Sequence, residues 1–181
     1  MGERGHEGLK LHLGCAEKRL PGFVHVDIRP EVKPDHVADW LNLSFAADHT
    51  ADLIYFSHGI EHIRKPDIGK ALAEWHRVLK PHGILRLATT DFQAVAGLYV
   101  DERVTLIRLS GMLIGRQNYE DNTHYSLWDY ELLAWTLGEN GFYDIQRWNP
   151  DKVHPPDFDD FSRAKINGVP ISLNVEAKAK G

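Results

Sequence analysis

The chain has 181 residues, 43% hydrophobic and 26% charged, with a formal net charge of −5 at pH 7. That length suits one domain with a sizeable core, and the acidic balance offers no electrostatic footprint for a nucleic-acid backbone or an anionic membrane. A single cysteine excludes an internal disulfide and a cysteine-rich zinc site. Without a spanning apolar run or a signal-peptide core, a cytoplasmic protein is expected. No pattern specifies an oligomeric state.

Residues 1–8 hold three glycines and no periodicity, and read as a flexible tail; a single domain is expected over residues 9–181. Leu9 to Leu13 is the first predicted strand, followed by the small residues Gly14, Cys15 and Ala16. The second ends in Asp27. In an open parallel sheet ligands bind outside the carboxyl ends of the strands, so a small-residue turn and a neighbouring carboxylate face one crevice, the carboxylate placed to accept from ribose hydroxyls. A dinucleotide fingerprint would open a helix with G-x-G-x-x-G, with its acid about 20 residues further on. Here the acid follows Gly14 by 13 positions, and the eight residues from Cys15 to Gly22 include Pro21 and are too few for a crossover helix. A nucleotide cofactor without phosphate fits better, and S-adenosylmethionine (SAM) is the commonest. Cys15 itself reads as a small buried hydrophobe.

A third short strand is expected to end in Asp39, with Pro30 and Pro34 confining it to an edge. Asp52 to Ser57, DLIYFS, has the continuous apolar character of a central parallel strand. From Pro66 to Lys80, Ile68, Leu72, Trp75 and Leu79 recur at helical spacing, and Pro81, His82 and Gly83 end the helix. Ile84 to Thr89 is the fifth strand, and Asp91 is positioned as a helix start. Asp91 to Leu113 reads as one or two helices, and Gly115 to Ser126 as a long polar loop of the kind that carries function. A helix over Trp128 to Glu139, stopped at Gly141, precedes strands at Phe142–Arg147 and Ile171–Ala177. Trp148 to Phe161 has no predicted element, and its Asp157, Asp159 and Asp160 read as a solvated loop, with cover over a substrate site as the alternative. The eleven histidines are read mainly as scattered surface residues. Strand, helix, strand recurring through the first ninety residues argues for a doubly wound, Rossmann-like α/β sheet.

The ordered series LHLGCA, FVHVDI, DLIYFSHGIEHI and EWHRVLKPHGILRLATTDF resembles the class I SAM-dependent methyltransferases of the small-molecule type (type 11-like), which carry an H-x-L-E-H segment. The resemblance implies a seven-stranded sheet in the order 3-2-1-4-5-7-6 with the last strand antiparallel, and SAM as cofactor. Residue by residue it assigns Gly14, Cys15 and Ala16 to the turn under the methionyl group, Asp27 to the ribose and Ile28 to the adenine flank. Asp39 matches the acid at the adenine amino group, Trp40 offers backbone beyond it, and Ser57 and His58 border the methionyl group. The chain departs from the family in two respects. Ala16 replaces a glycine, which is tolerable if φ there stays negative, and the first crossover helix is shortened to a turn, which leaves one side of the cofactor less covered.

His58, Gly59, Ile60, Glu61 and His62 also spell H-x-x-E-H, the inverted zinc-protease signature. Gly59 and the nearby Pro66 leave too short a helix for it, so that metalloprotease is a remote alternative and no metal is expected. The reading reached is methyl transfer from SAM to oxygen or nitrogen of a small molecule such as a sugar, with a catalytically inactive SAM-binding module as the alternative. A hydroxyl acceptor wants a base, for which His124 on the polar loop leads and His58 follows.

Overall fold

The computed structural model describes residues 8–118 and 122–181. The expected tail therefore lies outside the described residues except for Gly8, as do residues 119–121 of the polar loop.

Strands β1 (Leu9–Leu13), β2 (Val24–Asp27), β3 (His36–Val37), β4 (Ala51–Ser57), β5 (Leu79–Thr90) and β6 (Phe142–Arg147) precede a small hairpin, β7 (Lys165–Ile166) and β8 (Val169–Pro170), and a last strand, β9 (Ser172–Ala179). One seven-stranded sheet is ordered β3-β2-β1-β4-β5-β9-β6. Its first five strands are parallel, and β9 enters antiparallel between β5 and β6. This is the Rossmann-like order that the resemblance implies.

Alternation along β4 and β5 divides the core. Ile54, Phe56, Leu85 and Leu87 face α1 (Ile68–Val78), whose Leu72 and Trp75 are fully buried, and α4 (Tyr130–Glu139) adds Leu133 and Leu137. Each such side chain contributes about 1.5–3 kcal/mol by burial. The other face, with Leu53, Tyr55 and Ala88, packs against Leu20, Trp148 and Phe158. No helix joins β1 to β2, and the segment after β6, including the short helix α5 (Pro150–Val153), covers that face instead. Trp148 and Phe158, the former with its indole N–H donating to the Leu87 carbonyl at 3.0 Å, fill the room on this sheet face that a crossover helix would take.

Several boundaries differ for local reasons. The third strand stops at Val37, because Asp39 turns to accept from the Leu41 N–H at 2.8 Å. β5 starts directly at Leu79, and the expected break at Pro81–Gly83 is a bulge where the register against β4 slips from Ala51–Leu79 to Leu53–Ile84. The helical stretch after Asp91 is two helices, α2 (Phe92–Val100) and α3 (Leu106–Ile114), with the Asp91 carboxylate accepting from the Ala94 N–H at 3.2 Å. α4 begins at Tyr130 behind the cap Asp129, since Trp128 is drawn into a bridge with Asp91.

Candidate functional site

The carboxyl ends of β1, β2 and β4 meet at one edge, and the turn after β1 forms its floor. Gly14 has φ +58°, and a Cβ there would stand 3.0 Å from the Phe56 ring. Ala16 has φ +46°, contrary to the expected negative value. A left-handed alanine costs about 1–2 kcal/mol, and two contacts hold it: its N–H donates to Asp27 Oδ2 at 2.8 Å, and the Arg19 guanidinium donates to its carbonyl at 2.7 Å. Arg19 also reaches the carbonyls of Val32 and Lys33, stapling the turn to the β2–β3 connection. Nothing in the sequence marks a lone arginine for that role. Cys15 is buried, and burial pushes its thiol up to about 11, which keeps it unreactive as expected of a packing residue.

Asp27 is 4% exposed at the end of β2. Burial opposes its charge, but the Arg29 side chain and the backbone N–H groups of Arg29 and Ala16 outweigh it and hold the carboxyl below the usual carboxylate range. The Arg29 N–H and Nε donate to Oδ1 at 3.0 and 3.1 Å, and its Nη2 reaches Oδ2 at 3.4 Å. Ile28 beside it is exposed. Trp40 packs on Phe56 with ring centroids 5.3 Å apart, and its carbonyl accepts from the buried Trp75 indole at 2.9 Å. Gly14, Asp27, Ile28, Asp39 and Trp40 therefore share the edge. An ionised carboxylate, an apolar neighbour and a turn that opens no helix suit a nucleoside without phosphate, provided Arg29 yields part of its hold on Asp27.

Ser57 lies on the Tyr55 face, close enough to Asp160 to favour its ionised form, although its hydroxyl makes no hydrogen bond of good geometry among the described residues. Asp160, expected to be solvated, is instead mostly buried: it accepts from the Tyr55 hydroxyl and from the Ser162 N–H and hydroxyl. Burial, followed by the charge of Asp160, pushes the Tyr55 phenol well above its ordinary value. His12, His25 and His154 gather on the same face, buried rather than scattered on the surface. His25 Nε2 accepts from the Leu20 N–H at 2.9 Å while Nδ1 meets Asp35 at 3.0 Å, so this ring fixes the shortened crossover.

His58 follows β4 with φ +49°, its N–H donating to the Ala88 carbonyl at 2.7 Å. Its Nδ1 lies 3.2 Å from Glu61 Oε1 and its Nε2 3.1 Å from Ser172 Oγ. Glu61 is buried and its Oε2 accepts from the Thr89 hydroxyl at 2.9 Å. Burial works against its charge, yet His58, a backbone N–H and His62 together pull its pKa down to about 2. The H-x-x-E-H segment is a single 3-10 turn at Ile60–His62, and His62 Nδ1 is engaged by the Thr123 carbonyl at 3.1 Å, so the two imidazoles are not held as a metal pair on a helix. No group of three His, Cys, Asp or Glu side chains that could hold a metal occurs among the described residues.

The polar loop closes over this turn through a hydrogen bond from the Tyr125 N–H to the Glu61 carbonyl at 2.8 Å. His124 Nδ1 is fixed by the Met112 carbonyl at 2.9 Å, its ring stands 4.7 Å from that of His62, and burial lowers its pKa. A cleft of about 400 Å³ lies away from the Gly14–Asp27 edge. It opens between the end of β6 and the β7–β8 hairpin, and Ser172, the partner of His58, lines it.

Residues 14–87 match the family model described as a methyltransferase domain. Among solved structures of the same fold is a SAM-dependent methyltransferase from Archaeoglobus fulgidus, 15% identical with a TM-score of 0.59 over 94% of this chain and 86% of that one. The YcgJ protein from Bacillus subtilis is 16% identical, with a TM-score of 0.57 over 97% and 93% of the two chains. A SAM-dependent methyltransferase from Thermotoga maritima, described as a possible histamine N-methyltransferase, is also 16% identical, with a TM-score of 0.57 over 96% and 83%. No curated protein matches.

Proposed function

We propose that this chain, whose residues 14–87 match a methyltransferase domain model, is a class I, SAM-dependent methyltransferase that transfers a methyl group to an oxygen or nitrogen of a small molecule, with His58 as the general base. The observation that carries this reading is the convergence of the Gly14 turn, the ionised Asp27 and His58 at the carboxyl ends of β1, β2 and β4. SAM supplies an electrophilic sulfonium methyl. Asp27 holds the ribose hydroxyls, the small turn admits the methionyl part, and Ile28, Asp39 and the Trp40 backbone flank the adenine. Glu61 stands behind the His58 ring, 3.2 Å from Nδ1, and leaves Nε2 to take the acceptor's proton. The loop bonded to Glu61 through Tyr125 helps to exclude water. The geometry favours His58 over His124, because His58 lies at the strand end with a carboxylate behind it, whereas His124 pins the loop through Met112.

Calorimetry with S-adenosylhomocysteine (SAH) tests the cofactor part: binding with one-to-one stoichiometry is expected, and absence of binding to folded protein sinks the reading. A second reading, a SAM-binding module without transferase activity, is favoured by one observation, the hold of Arg29 on both oxygens of Asp27. Release of SAH from SAM on adding a panel of small hydroxyl and amine compounds, monitored by mass spectrometry, separates the two.

A further inference from the structure

The protein carries a net charge of −5, yet the cleft of about 400 Å³ beside β6 is lined by Arg147, Arg163 and Lys165 against the single carboxylate of Asp151. Arg163 is structural: its Nε pairs with Asp151 at 2.9 Å, and its Nη atoms reach the carbonyls of Phe158, Pro150, His154 and Pro155. That pair cancels, and the charge that faces the cleft comes from the other two cations. Lys165 is exposed and makes no ion pair among the described residues. The half-exposed Arg147 rests over the Tyr130 ring at 5.0 Å and shares its charge with Asp91 Oδ2 at 3.6 Å, and its guanidinium makes no side-chain hydrogen bond among the described residues, so its N–H groups are open to a ligand.

The wall of this cleft nearest the sheet is neutral and polar. Ser172 and Asn174, which both line the cleft, are each 9% exposed, and the Ser172 hydroxyl donates to Asn174 Oδ1 at 3.0 Å while standing 3.1 Å from His58 Nε2. A volume of about 400 Å³ lies within the roughly 300–1,000 Å³ range of small-ligand sites. We infer that this cleft is the acceptor subsite and that the acceptor is a small hydroxylated molecule bearing an oxyanion, phosphate or carboxylate, held by Arg147 and Lys165. Its neutral part lies over Ser172 and presents the reacting group to His58. The inference rests on the proposed methyl transfer for its role, and on the charge and shape of the cleft for its ligand class.

The test is a ¹⁵N-resolved NMR titration of the whole chain with inorganic phosphate and, separately, malonate, alongside SAH calorimetry on the same samples. Amide shifts confined to residues around Arg147, Lys165 and Ser172 are expected, with the preferred probe naming the oxyanion. The Arg147→Glu, Lys165→Glu double variant should weaken binding about fivefold or more through loss of two charged contacts, and Lys165→Ala should weaken it less. Lys70→Glu, an equal change per residue on the far surface, should leave it unchanged. Shifts scattered over all basic residues, or equal weakening in Lys70→Glu, would mean diffuse charge attraction and overturn the site. SAH binding without any oxyanion effect at the cleft removes the subsite alone. Oxyanion binding at the cleft with no SAH binding removes the acceptor role along with the methyl-transfer reading.

Discussion

The imidazole Nδ1 of His58 stands 3.2 Å from Oε1 of Glu61, a carboxylate with 1% of its residue surface exposed, so a group at the mouth of the site stands against a charge in the core. The sequence places these residues in one motif, and the fold gives that motif a use different from metal binding. The glutamate lies beneath the histidine, held by Thr89 on its other oxygen.

Removing the Glu61 charge should therefore cost stability in a pH-dependent way. Glu61→Gln is expected to lose about 1–3 kcal/mol in urea unfolding at pH 7, and Glu61→Ala more, since it also leaves the Thr89 hydroxyl without its carboxylate acceptor. A carboxylate with a depressed folded pKa stabilises fully above its unfolded value near 4.5 and loses that contribution as pH falls toward about 2. The gap between wild type and Glu61→Gln should be widest above pH 5 and narrow below pH 4; a constant gap would show that the charge is not what stabilises.

Asp27→Ala should abolish measurable SAH binding by calorimetry. Two ribose hydrogen bonds to an ionised carboxylate are worth about 1.5–3 kcal/mol each, or at least a hundredfold in affinity together. Arg29→Ala frees the same carboxylate and should retain binding. If Asp27→Ala bound SAH like wild type, the ribose assignment would be wrong.

Ala16 offers a direct measure of backbone strain in the cofactor turn. Ala16→Gly relieves a left-handed alanine worth about 1–2 kcal/mol but adds unfolded-state entropy of about 0.4–1 kcal/mol, so a net gain of about 0.5 kcal/mol is expected. Ala16→Val, β-branched at φ +46°, should lose stability. Thermal unfolding of the two variants compares the signs, and a stabilising valine would contradict the observed turn.

The buried histidines make the fold acid-sensitive before its carboxylates titrate. Burial, followed by the charge of His25, pulls His12 down to about 3, and burial pulls His154 down to about 4. Because the unfolded chain takes up protons at these residues below about pH 6.5 while the folded chain does not, stability should fall as pH falls from 6.5 toward 4. The slope approaches about 1.4 kcal/mol per pH unit for His12 alone. Urea midpoints at pH 7.5, 6 and 5 read this directly, and a flat profile over that window would show that these rings protonate freely in the fold.

For catalysis, His58→Ala is expected to lower methyl transfer about 10²–10⁴-fold with SAH affinity within about threefold. His124→Ala should have the smaller effect on turnover and a visible one on loop order. Measured with any acceptor found to release SAH, the reverse ranking would return the base to His124.

The sequence by itself determined the succession of strands and helices through the first ninety residues and the burial of the central strand, because these are local and periodic properties, whereas the strand order was legible only through the family resemblance. Continuous apolar runs such as DLIYFS state that a strand is buried on both faces, and a small-residue turn followed by Asp27 states what stands at two neighbouring strand ends. What the tertiary structure decided depends on contacts between residues far apart in the chain. Tyr55 meets Asp160 across 105 positions and His58 meets Ser172 across 114, so neither the half-buried acid nor the link from base to cleft could be read from spacing. The positive φ of Ala16 belongs to the same class: its own side chain disfavours it, and only Asp27 and Arg19, arriving from outside the turn, hold it there. The missing crossover helix was legible as an absence in eight residues. Its replacement was not, because Trp148 and Phe158 sit in a segment without periodicity and find their place only against a sheet face already built.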